Sequence, residues 1–211
     1  MSQTKINVGM IDASSIGDAK VLQGIGAWNS PSAGALTFIN TSDLSSVASY
    51  EFTAFDSSSY DGYVIETMNL IPATDAVQLI LTTSSDGGSS YDTGASDYEW
   101  RAQLDSTNAN DDAHTSMQIN GVSTNGYSQF GSSAGEEGGN ITLKIMGPHL
   151  AKETNFVWWG YFVTEYNGAY GRVLHGGGHR RSSADVDGIK LAFSSGNIES
   201  GTITAYGYAN A

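Results

Sequence analysis

The chain has 211 residues, with nine Lys and Arg against 22 Asp and Glu, a formal net charge of −13 at pH 7, and no cysteine. That length sets one domain, or one domain plus an arm, and a hydrophobic content of 39% supplies enough core to exclude full disorder. The charge disfavours nucleic acid and anionic membranes as partners, and the missing cysteines exclude disulfides, thiolate chemistry and cysteine-held zinc.

Residues 1–34 read differently from the rest. They carry isolated apolar residues, among them Ile16, Val21, Leu22, Ile25 and Trp28, between scattered glycines. Neither a period of 2 nor one of 3.6 persists. This predicts an extended N-terminal arm that docks on another subunit or a neighbouring protein through those five side chains. Edge strands of the main domain are the other reading. One or two helical turns fit residues 14–22, although Gly17 lies within them. The run Met1-Ser2-Gln3-Thr4-Lys5 lacks the regions of a signal peptide, and no apolar run approaches the ~20 residues of a membrane helix.

From residue 35 onward strand signals dominate. Short apolar or alternating runs fall at 35–39, 47–55, 63–68, 76–81, 98–102 and 114–119, then at 141–146, 156–163, 170–174, 188–193 and 202–206. Residues 43–48 read as a helical turn or a turn into a strand. Asp61-Gly62, Asp86-Gly87-Gly88, Asn120-Gly121, Asn125-Gly126, Asn167-Gly168 and Ser195-Gly196-Asn197 supply turn chemistry. The long amphipathic helices of a doubly wound enzyme are missing. The sequence therefore predicts an all-β chain, an antiparallel β-sandwich over residues 35–211.

Three constellations carry the chemistry. Residues 86–112 hold Asp86, Asp92, Asp97, Glu99, Asp105, Asp111 and Asp112. Oxygen-rich loops of this kind can hold calcium, but the spacing does not match an EF-hand loop, and solvated acidic loops are the plainer reading. No other cofactor is expected. His175-Gly176-Gly177-Gly178-His179-Arg180-Arg181 reads as a Gly-rich loop. With Arg180 and Arg181 it suits an anion, a phosphate or a sulfated sugar, or the acidic 86–112 face of a neighbouring subunit. A solvated hairpin tip is the alternative. Phe156-Val157-Trp158-Trp159-Gly160-Tyr161-Phe162 is an aromatic strand: Trp158 and Gly160 share one face, Trp159 and Tyr161 the other. One face belongs to the core and the other to a subunit interface, or to a sugar-stacking platform. No Gly-x-Ser-x-Gly elbow is present, and a carboxylate pair among 22 acids means nothing without geometry.

The end of the chain, residues 187–207 (Asp187-Gly188-Ile189-Lys190-Leu191-Ala192-Phe193 through Thr202-Ile203-Thr204-Ala205-Tyr206-Gly207), resembles the closing segment of a family of bacteriophage virion structural proteins. Residues 52–91, with Ile71-Pro72-Ala73-Thr74-Asp75 and Ser84-Ser85-Asp86-Gly87-Gly88, and the Gly-rich run before the last two strands also resemble it. The likeness covers about residues 35–208. It implies a jelly-roll-like sandwich, no catalytic residues and a place in the virion. It also implies a tail fibre or tail appendage, homotrimeric, attached by the arm to other virion proteins and displaying loops to a host surface glycan. A capsid decoration or cement protein is the alternative.

Composition favours a protein that is assembled or displayed, and a merely acidic secreted or viral domain is the other reading. Charged residues are only 15% of the chain, against roughly 25% in an ordinary globular protein. A surface poor in Lys and Glu loses less side-chain entropy on burial. The expectation is a non-enzymatic virion component; a carbohydrate-binding module using Trp100, Trp158 or Trp159 comes next, and a glycan-degrading enzyme last.

Overall fold

Alternating side chains dictate a layered β-fold, and the computed structural model places that alternation on two sheets. It describes residues 35–104, 107–121, 128–135, 138–164 and 170–210. Ile16, Val21, Leu22, Ile25 and Trp28, the helical reading of 14–22, and the turns Asn125-Gly126 and Asn167-Gly168 lie outside the described residues. Among the described residues there are twelve strands and no helix. They are β1 (Leu36–Val47), β2 (Tyr50–Phe52), β3 (Tyr60–Pro72), β4 (Leu79–Ser84), β5 (Tyr98–Leu104) and β6 (Thr107–His114). β7 (Met117–Gln118), β8 (Gly139–Met146), β9 (Asn155–Thr164), β10 (Tyr170–Arg180), β11 (Gly188–Phe193) and β12 (Ile198–Ala209) follow.

Eight strands form one sheet in the order β1-β12-β3-β8-β9-β10-β5-β6, and four form the other in the order β2-β11-β4-β7. Every pairing is antiparallel. The chain is an antiparallel β-sandwich, as the sequence predicts. Antiparallel sheets can keep one face wet, and the large sheet does so: Ile141, Leu143 and Ile145 of β8 are buried while Met146 is exposed. The core lies between the sheets. From the large sheet it takes Trp100, Phe156, Trp158 and Phe162; from the small one, Phe52, Leu79, Leu81 and Ile189. Phe130 bridges to both Val77 and Thr164 and joins the layers at one margin. Its ring stacks on Phe162 at 4.6 Å and meets Phe193 edge-on at 5.3 Å.

Several local expectations are corrected. Residues 43–48 are not helical; most continue β1, where Asp43 accepts a hydrogen bond from the Thr202 hydroxyl at 2.8 Å. The strand expected at 76–81 starts at Leu79, because Ala76 turns the chain at φ 58°. Asp61-Gly62 is no turn but lies inside β3. A side chain at Gly62 would sit 2.7 Å from the Ile145 carbonyl of the adjacent strand, so glycine serves close strand approach there. Residues 107–114, without strand patterning, form β6 on the sheet edge.

The run His175–Arg181 is the largest correction. It is not a loop: His175–Arg180 are the second half of β10, paired to β9 on one side and β5 on the other. Its glycines are there for space. A Cβ on Gly176 would lie 2.6 Å from the Trp158 indole, and one on Gly178 would lie 2.9 Å from both Met117 Sδ and Trp100 Cβ. Two large core rings thus sit where an ordinary strand would place side chains.

Candidate functional site

Strand register puts residues distant in sequence side by side on the outer face of the large sheet. Trp159 pairs with Thr142 of β8 and with His175 of β10. Thr142 pairs with Glu66, Glu66 with Thr204, and His175 with Gln103. The result is a transverse row, Thr204–Glu66–Thr142–Trp159–His175–Gln103, crossing six strands. Trp159 is 41% exposed and Glu66 and His175 are exposed. Lys144 Nζ stands 5.5 Å from the centre of the Trp159 ring and equally far from that of Tyr208, so one cation is shared between two outer-face aromatics.

Neighbouring rows are more apolar. On one side Tyr161 pairs with Val173, and both are exposed. On the other, Phe38 pairs with Tyr206, Tyr206 with Val64, Val64 with Lys144 and Lys144 with Val157. Leu36 and Met146 lie one row further, Leu36 at the corner where residue 35 feeds the chain into β1 and Met146 three strands in, on β8. Phe38 is 58% exposed and rests edge-on against Tyr206 at 6.1 Å.

A shallow depression of about 230 Å³ opens between β12, β3 and β8, lined by Glu66, Met68, Asn140, Thr142, Thr204 and Tyr206. It forms where the β3–β8 ladder stops at Glu66 and Thr142. Beyond that point side chains replace the ladder. The Ile141 amide donates to Thr67 Oγ1 at 2.9 Å, and the Asn69 amide donates to Asn140 Oδ1 at 3.0 Å. Asn69 takes the left-handed conformation at φ 49°, which Asn tolerates better than most residues.

The predicted site residues divide. Trp159 and His175 meet on the outer face as cross-strand neighbours. Trp158 is buried and donates from Nε1 to the Ile119 carbonyl at 2.8 Å, and Trp100 is buried as well, so neither is a sugar platform. Core burial takes both because they alternate with the outer residues of their strands. His179 reaches Glu153 at 3.6 Å. Arg181 follows the strand, its amide donating to the Asp97 carbonyl at 2.7 Å. Arg180 is no ligand residue: it is buried, and its Nε donates to Asp92 Oδ2 at 2.9 Å. For this arginine, the partner expected on a neighbouring subunit lies within the same chain.

The acids of 86–112 whose side chains are described are likewise engaged in local structure. Asp86 accepts from the Ser90 hydroxyl at 2.6 Å, the Ser90 amide at 2.8 Å and the Ser84 hydroxyl at 2.8 Å. Those bonds, the Ser90 hydroxyl foremost, hold its carboxyl below the usual carboxylate range. Asp92 also accepts from the Thr83 hydroxyl at 2.9 Å, and Asp97 from the Gly94 amide at 2.5 Å. Asp105 lies outside the described residues, as do the side chains of Asp111 and Asp112. Among the described residues no three His, Asp or Glu converge as metal ligands, so the calcium expectation finds no cage there.

Glu66, Thr142, Thr204, Asn140 and Gln103 carry no sequence signal. Each is an ordinary polar residue on the wet side of a strand, and only register groups them. Comparison with family models, with curated proteins and with solved structures finds no match for this chain.

Proposed function

We propose that this chain is a non-enzymatic structural protein of a phage virion, a trimeric tail fibre or tail appendage component. It assembles with sister copies and displays its β-sandwich to a host surface. The observation that carries the reading is a set of exposed apolar side chains on the outer face of the large sheet, Leu36 and Phe38 on the edge strand β1, Met146 on β8 and Val157 on β9. Large apolar side chains exposed together on one sheet face mark an interaction site. The occupant is a second copy of the chain. Leu36 and Phe38 follow directly on the proposed arm in the chain.

The low charged content and the resemblance of residues 35–208 to phage structural proteins point the same way. A decoration protein of the capsid would use the same side chains, with a different neighbour for the arm. The test is the mass of the full chain in solution by light scattering, alone and as Phe38→Asp. A homotrimer for the native chain, and a monomer with unchanged melting temperature for the variant, is the expected pair of results. A native chain that stays at 22.2 kDa across the micromolar range removes the reading.

A further inference from the structure

We infer that the transverse row on the outer face binds an uncharged glycan strand lying across β12, β3, β8, β9, β10 and β5. This rests on the display reading above, and it names the chemistry that the displayed face recognises.

A sugar ring has hydroxyls around its rim and an apolar C–H face. A site for it needs an exposed aromatic surface flanked by short donors and acceptors. The row has that composition in that order: the Thr204 hydroxyl, the Glu66 carboxylate, the Thr142 hydroxyl, the Trp159 indole, the His175 imidazole and the Gln103 amide. Neighbouring strands lie about 4.8 Å apart, so the row extends roughly 24 Å, room for several rings. Next to Trp159 the sheet is not flat. The depression of about 230 Å³ sinks beside it, with Glu66, Asn140 and Thr142 in its wall. Its shape is held by the Thr67 and Asn140 bonds to backbone amides, so the polar groups sit on a braced floor and not on a loop.

Charge chooses among glycans. With −13 on the chain, and with the Glu66 carboxylate in the row set against the nearby ammonium of Lys144, already shared between the Trp159 and Tyr208 rings, a polyanionic chain such as a polyuronate or a sulfated polymer meets net repulsion. A neutral hexose polymer meets none, and Glu66 accepts two of its hydroxyls. Leu36 and Met146 lie two rows to one side of it, and the row is open to a glycan where assembly uses that margin of the sheet.

The test uses the full chain on an array of neutral and acidic glycans. The best-bound soluble oligosaccharide is then titrated by calorimetry against the native chain, Trp159→Ala, Glu66→Gln and Phe38→Asp. A monovalent probe keeps avidity from entering the comparison. The expected result is binding to neutral glycans only. Affinity should fall about tenfold or more in Trp159→Ala, where the stacking surface is lost, fall in Glu66→Gln, and hold in Phe38→Asp. Should Trp159→Ala prove poorly folded by its melting curve, Glu66→Gln, a near-isosteric surface change, decides alone. Absence of any neutral ligand, preference for acidic glycans, or binding indifferent to the Glu66 change overturns the inference. A native trimer that binds nothing sinks this inference and leaves the assembly reading standing; a monomer that binds does the reverse.

Discussion

Arg180 and Asp92 form an ion pair at the edge of the core. Arg180 Nε donates to Asp92 Oδ2 at 2.9 Å, with only 8% of the arginine side chain and 24% of the aspartate side chain exposed. The pair ties the end of β10 to the loop between β4 and β5, and Thr83 Oγ1 donates to the same carboxylate oxygen. Removing one partner of such a pair leaves the other charge buried and uncompensated, which costs about 3–5 kcal/mol. Asp92→Ala, which strands the buried arginine, should lower stability by about that amount in urea unfolding; Arg180→Met, which leaves the partly exposed Asp92 bonded to Thr83, should cost less, and the double variant should lose less than the sum. Additive losses would show that the two side chains are not coupled.

The glycines of β10 should tolerate substitution unequally. Gly176→Ala and Gly178→Ala drive a methyl into the Trp158 and Trp100 region and toward the Arg101 and Glu99 carbonyls, at 2.6–2.9 Å. Backbone and large rings cannot yield cheaply, so each should cost about 1–3 kcal/mol. Gly177 points to the outer face, and its nearest neighbour for a Cβ is the Phe156 carbonyl at 3.2 Å. Gly177→Ala should cost clearly less than either. Equal melting temperatures for the three variants would refute the assignment of this run to a packed strand.

Alkaline pH should unfold the protein through its buried phenols. Burial pushes Tyr98 and Tyr50 each from 10.0 up to about 12. The Tyr98 hydroxyl accepts from the Thr83 amide at 2.8 Å and donates to the Asp92 carbonyl at 3.0 Å, a bond that ionisation destroys. Between pH 10 and 12 the unfolded chain sheds protons that the folded chain keeps, so the stabilisation is complete below pH 10 and drains as pH rises toward 12. Denaturation midpoints measured across that range should fall steadily. Tyr98→Phe should show a shallower fall, from a starting stability about 1–3 kcal/mol lower because Thr83 and Asp92 lose their partner. An unchanged slope in Tyr98→Phe would place the alkaline transition elsewhere.

Residues 156–163 and 175–181 show how far the sequence reaches. In the first run, alternation alone separates Trp158 from Trp159, because a strand has two faces and the chain repeats that choice at every step. In the second, three glycines read as a loop, and the reading fails because what Gly176 and Gly178 accommodate, Trp158, Trp100 and Met117, arrives from other segments. The acidic cluster misleads for the same reason: Asp92 is matched by an arginine nearly ninety positions later. The fold class is legible because it rests on local periodicity. The outer-face row is not, because Glu66, Thr142 and Thr204 become neighbours only through register.

Trp158 and Trp159 should respond in opposite ways to removal, though they are adjacent in the chain. Trp158 is buried, packs under Gly176 and donates to the Ile119 carbonyl at 2.8 Å. Trp158→Ala should therefore cost about 3–5 kcal/mol through the cavity alone, with the unsatisfied carbonyl adding to it. Trp159 is 41% exposed on the outer face, with Lys144 near its ring. Trp159→Ala should cost less than about 1 kcal/mol, the scale of an exposed cation–π contact. Thermal unfolding of the two variants side by side measures the contrast. A Trp159→Ala variant as damaged as Trp158→Ala would refute this assignment of the two rings to opposite faces of β9.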